Sequence, residues 1–125
     1  MEIPESIARY VVSGLTPDSL DRLEQSLGFR LPDDHQKLLL VSDGLSIGGG
    51  LLIYGSEILV ERNKTWEVAE YMPGFVAIGD SGAGEVFLMR LDSSDRSVYV
   101  VDSGVMDVEF MSKVGVSIEE WLKNG

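Results

Sequence analysis

The sequence predicts an α+β fold with a central, mostly antiparallel sheet flanked by helices. Three observations predict it. Leucines recur at helical spacing in the first third of the chain. Runs rich in Val, Phe, Tyr and Ile, separated by Ser/Asp/Gly turns, fill residues 75–102. The pattern Ser117-Ile118-Glu119-Glu120 then opens a closing helix in the manner of a capping box. Helices, a meander of strands and a last helix are segregated along the chain, which is the α+β arrangement rather than alternating α/β.

The elements follow in order. Residues 3–13 read as a short helix with Ile3, Ile7 and Val11 one turn apart. Thr16-Pro17-Asp18 supplies a hydroxyl N-cap, a first-turn proline and a carboxylate at the positive helix end. Leu20, Leu23 and Leu27 continue that helix and Gly28 stops it. Pro32-Asp33-Asp34 starts a second helix through Leu38, Leu39, Leu40 and Val41, which stops at Asp43-Gly44. Leu51–Tyr54 and Ile58–Val60 read as short strands around Gly55-Ser56, with Gly48-Gly49-Gly50 as a turn or bulge before them. Residues 61–71 read as a helix ended by Pro73-Gly74. Phe75–Gly79, Glu85–Leu91 and Ser97–Asp102 read as strands, and Trp121 and Leu122 lie in the closing helix. Leu38, Val41, Ile78, Trp121 and Leu122 are the expected core, with Pro32 and Gly44 as structural punctuation.

The 125 residues and 13.7 kDa fit one domain, 1–125, with residues 1–14 as an N-terminal extension of helical character. A compact chain of this mass exposes roughly 6,600 Å², enough to bury a real core. The absence of cysteine excludes disulfides, thiolate metal sites and cysteine nucleophiles and fits a reducing compartment, so the expected location is cytoplasmic. The opening MEIPESIARYVV lacks the basic and long apolar stretches of a secretory signal. With 10 Lys+Arg against 21 Asp+Glu, the net charge of -11 repels phosphate backbones and anionic membranes.

Several motifs match catalytic patterns in letters only. Gly44-Leu45-Ser46-Ile47-Gly48 has nucleophile-elbow spacing, but a helix precedes it and the sole histidine, His35, lies upstream. Gly79-Asp80-Ser81-Gly82 resembles a serine-protease nucleophile segment in a chain too short for that fold. Gly79 and Gly84 have P-loop spacing, yet Glu85-Val86 stands where Lys-Ser/Thr is required. Asp92-Ser93-Ser94-Asp95 lacks the later ligands of a calcium loop. His35, in an acidic helix start, reads as a surface residue, and Asn63-Lys64-Thr65 as a chance glycosylation sequon. No cofactor or metal is expected. The acids Asp80, Glu85, Asp92, Asp95, Asp102, Asp107 and Glu109 all fall at sheet turns. In a meander alternate turns share an end, so Asp80, Glu85, Asp102 and Asp107 are expected to cluster, away from Asp92 and Asp95. That cluster reads either as a solvated surface or as a docking face for a basic protein.

The order of motifs resembles the SUKH superfamily, which includes a domain of a yeast cell-wall assembly regulator. Leu27-Gly28-Phe29-Arg30-Leu31-Pro32-Asp33-Asp34, then Leu38-Leu39-Leu40 and Asp43-Gly44, is similar to its opening signature. Ile78-Gly79-Asp80-Ser81-Gly82-Ala83-Gly84-Glu85 resembles its glycine turn, and Ser117–Leu122 its closing helix. The resemblance covers about residues 16–122 and implies the α+β fold. It also implies a bacterial, non-enzymatic immunity protein that neutralises a cognate toxin domain, typically a nuclease, of a polymorphic or contact-dependent system. A regulatory module binding an endogenous partner shares the same features. A small-ligand-binding protein or enzyme using the Gly79–Glu85 loop is the third reading.

Overall fold

Six strands pair in sequence order, β1-β2-β3-β4-β5-β6, each antiparallel to its neighbour. The computed structural model describes residues 1–48 and 50–124. A 3-10 segment, Glu5–Tyr10, precedes α1 (Pro17–Leu27) and α2 (Asp33–Val41). β1 (Leu45–Ile47) and β2 (Leu51–Ile53) form a hairpin, and α3 (Ser56–Thr65) and α4 (Val68–Tyr71) carry the chain over to β3 (Phe75–Asp80). β4 (Glu85–Arg90) and β5 (Val98–Asp102) continue the meander. A 3-10 turn, Val108–Phe110, leads into β6 (Ser112–Gly115) and α5 (Ile118–Asn124).

The family-like motifs prove to be joints. Thr16 caps α1 by accepting the Ser19 N–H, and Gly28 ends it at φ 85°. Asp43 accepts from the Ser56 N–H at 2.6 Å and from its hydroxyl at 2.9 Å, so the carboxylate caps α3 from thirteen residues upstream. Beside it two backbones cross. A Cβ at Gly44 would lie 2.6 Å from the Gly55 nitrogen, and a Cβ at Gly79 2.4 Å from the Leu52 oxygen. Only glycine permits these approaches. Ser117 accepts the Glu120 N–H and opens α5. Trp121 then packs on the Phe87 ring, 4.8 Å between centroids, and on Gly115, where a Cβ would come within 2.6 Å of the Trp121 Cβ.

Leu38, Ile78, Trp121 and Leu122 are buried, and so is Pro32, next to the first turn of α2. Five expectations are corrected. Val41 is half-buried and outside the core cluster, and Leu40 is exposed. The buried stripe of α2 runs through Leu31, His35, Leu38 and Ser42, at spacings of four, three and four. At about 100° per residue, Val41 falls off its edge. His35 lies on this stripe with no exposed surface, so it is a core residue and not a surface one. Residues 58–60 are helical because the cap of α3 is tertiary and invisible locally, and the expected helix 61–71 is split at Glu67. The opening segment is 3-10 over Glu5–Tyr10 only, and it buries Ile7. The short strands β1 and β6 add to the strands that the sequence predicts.

Candidate protein-docking site

The glycine turn between β3 and β4 is built to project polar groups. Asp80 Oδ1 accepts the Gly82 N–H, and the Ser81 hydroxyl accepts the N–H groups of Ala83 and Glu85. Gly82 and Gly84 take φ of 75° and 96°, which this tight reversal requires. The next turn at the same end follows β5. Its Ser103 N–H donates to the Gly84 carbonyl at 2.7 Å, tying the two turns together. Asp102 accepts from Gly104 N–H, and Asp107 from Glu109 N–H.

Glu85 and Asp102 are directly opposite in the β4–β5 register, and both are exposed. Like charges at such positions repel and destabilise the pair. Among the described residues no lysine or arginine nitrogen lies within 4.0 Å of a carboxylate of Asp80, Glu85, Asp102 or Asp107. The other end of the sheet differs. There Asp95 accepts from Arg90, Tyr99 and Ser97, and the Tyr99 hydroxyl foremost holds its carboxyl down to about 2. Arg90 also lies over the Phe75 ring, and Arg96 pairs with buried Asp34 at 2.6 Å. Asp92 is exposed and closes a local turn with Ser94. Arginines thus pair with Asp34 and Asp95 at the Asp92–Asp95 end, whereas Glu85 and Asp102 have no ion pair among the described residues, and Arg62, over the Trp66 ring, stands in the field of Asp80.

Asp80 stands apart from the other three acids. Its Oδ2 accepts the hydroxyl of buried Tyr54 at 2.7 Å, and that hydroxyl accepts the Trp66 indole N–H at 3.0 Å. Burial foremost, then this carboxylate, raises the Tyr54 phenol. Asp80 is therefore half-buried and partly structural. Sequence reasoning missed Trp66 as part of this end, because the link runs through Tyr54 and no spacing reveals it.

The catalytic look-alikes have local roles. Ser46 is exposed on β1, with α2 before it and the β1–β2 turn after it, and Ser81 holds its turn. Among the described residues no group of three or more His, Asp or Glu is placed to hold a metal ion. None of the helices described is long and apolar enough to cross a membrane.

The antiparallel sheet and flanking helices are the α+β fold that the resemblance to the SUKH class implies. Residues 14–124 match the SMI1 / KNR4 family (SUKH-1), and the chain belongs to that family. It is also similar to YnaB of Bacillus subtilis (strain 168), an uncharacterized protein, at 28% identity over 109 residues, covering 86% of this chain and 73% of that one.

Proposed function

We propose that this protein is a non-enzymatic immunity protein of the bacterial cytoplasm. It binds and neutralises a cognate toxin domain, a nuclease of a polymorphic or contact-dependent system, by stoichiometric contact. The observation that carries this reading is the pair Glu85–Asp102, exposed, directly opposite in the β4–β5 register and without an ion-pair partner among the described residues. Nuclease clefts are basic because their substrates are polyanions. An acidic end placed in or beside such a cleft blocks it, and complementary charge speeds encounter toward roughly 10⁸–10⁹ M⁻¹s⁻¹ at low salt. Family membership supports the same reading.

The test is the kinetics of Glu85→Lys/Asp102→Lys at two salt concentrations, against the toxin domain encoded beside the gene. Asp80 is left intact because it accepts from buried Tyr54. Association should slow and lose its salt dependence, with thermal stability unchanged or raised. A control reversal at Asp21 and Asp92 should retain near-native rates. Wild-type rates for the first variant, or equal loss in the control, would overturn the assignment of this end. A neighbouring gene set with no toxin, and an endogenous protein captured instead, would favour the regulatory reading.

A further inference from the structure

A groove of about 530 Å³ separates the α3–α4 corner from the connection that follows β5, lined by Trp66, Glu67, Tyr71, Ser103, Gly104 and Met106 among others. It adjoins the acidic end twice. Ser103 and Gly104 directly follow Asp102, and the Trp66 indole reaches Asp80 through the Tyr54 hydroxyl. Tyr71 is 55% exposed, and Val105, next to two lining residues, is exposed as well. An aromatic face and an aliphatic side chain are thus accessible beside the groove.

The charge of the groove selects its occupant. No lysine or arginine lines it, and Glu67 forms part of its wall. The Tyr71 phenol is pushed up by the carboxylate of Glu67 first and that of Glu70 second, so the ring stands in a negative field. The chain's own cations already lie over Tyr10, Trp66, Phe75 and Tyr99, whereas Tyr71 has none among the described residues. Glu67 is also the one non-glycine residue described at positive φ, 52°. Glycine or asparagine would sit there at lower cost.

We propose that this groove takes a lysine or arginine side chain projecting from a basic protein partner, its aliphatic stem against Tyr71 and Met106 and its cation at Glu67. The inference deepens the docking reading and rests on it for the partner being a protein. A cation over a free aromatic face beside a carboxylate gains from both. An arginine side chain also buries its stem while keeping its head polar, which suits a groove open to solvent.

The probe is a hexa-arginine peptide titrated into the full chain and followed by NMR. Saturable shifts are expected at the Trp66 indole N–H, the Met106 methyl and the Ser103 and Gly104 amides. Tyr71→Ala should weaken binding about fivefold, while Tyr71→Phe retains it. Glu67→Gln should weaken binding as well. Glu67→Gly should weaken it with no fall in melting temperature, since glycine suits the backbone at this position. Shifts centred at the Asp92 end, or wild-type affinity in both Tyr71→Ala and Glu67→Gln, would overturn the proposal. The peptide is not a toxin, so a missing toxin partner leaves the result standing. Full neutralisation by groove variants with unchanged peptide binding removes the groove alone.

Discussion

His35 is fully buried, and neither ring nitrogen has a hydrogen-bond partner among the described residues. Burial alone pushes its imidazole down from 6.5 to about 4. The folded state therefore holds it neutral, while the unfolded chain takes up a proton below about pH 6.5. Stability from this residue is present above that pH and is lost as pH falls towards 4, by about 3 kcal/mol at full extent. Denaturant melts at several pH values should show this limb in the wild type and its absence in His35→Leu. Removing the orphaned polar atoms should also leave His35→Leu at least as stable at pH 7. Asn63 shows the opposite economy. Its Oδ1 accepts the Ala77 N–H at 2.8 Å, and its Nδ2 donates to the carbonyls of Ala77 and Leu59, both at 2.9 Å. It thus satisfies β3 where the β3–β4 register shifts between Ala77 and Gly79. Read along the sequence it is a glycosylation sequon; in the fold its amide is engaged. Asn63→Ala leaves two backbone groups of Ala77 without this partner and should cost about 1–3 kcal/mol in chemical denaturation.

Among the elements, α5 depends on a contact with β6. Trp121 lies against Gly115 and Phe87, so Trp121→Ala should cost about 3–5 kcal/mol. Gly115→Ala should destabilise through the same contact by overpacking, about 1–3 kcal/mol. An unchanged denaturation midpoint in both would show that α5 does not close the core. How much of the chain was legible follows from how local each signal is. Thr16, Gly28 and Ser117 act on backbone within four residues, and α1 and α5 were read correctly from them. The strands β3, β4 and β5 announced themselves by composition. Elements whose determinants are distant were not legible. The cap of α3 comes from Asp43, and the burial of His35 depends on which face of α2 meets the sheet. β6 has three exposed residues out of four, so it lacks the alternation that marks a strand. The candidate docking end was half legible. Sequence order placed two turns at one end, but nothing in it reveals the Trp66–Tyr54–Asp80 chain or the groove beside it.

At the scale of the whole molecule the two ends of the sheet differ in their ion pairs. Arginines hold Asp34 and Asp95 at one end, while Glu85 faces Asp102 at the other without compensation. The price of that pairing is about 0.2–1 kcal/mol of repulsion, a small sum in a fold of ordinary stability. Burial of the single histidine adds a consequence of another kind. The chain has no cysteine, its one imidazole is pushed down to about 4, and ordinary carboxylates, tyrosines and lysines titrate outside the neutral range. Between about pH 5.5 and pH 8.5 no side chain of this class changes its charge. Electrophoretic mobility should accordingly show no step near pH 6.5, and such a step would show that His35 titrates. The side chain whose ordinary pKa lies nearest neutrality is thus withdrawn from the surface. A step near pH 6.5 in its encounter rate with another protein is then a titration of that protein's histidines, read against a surface that carries none of its own.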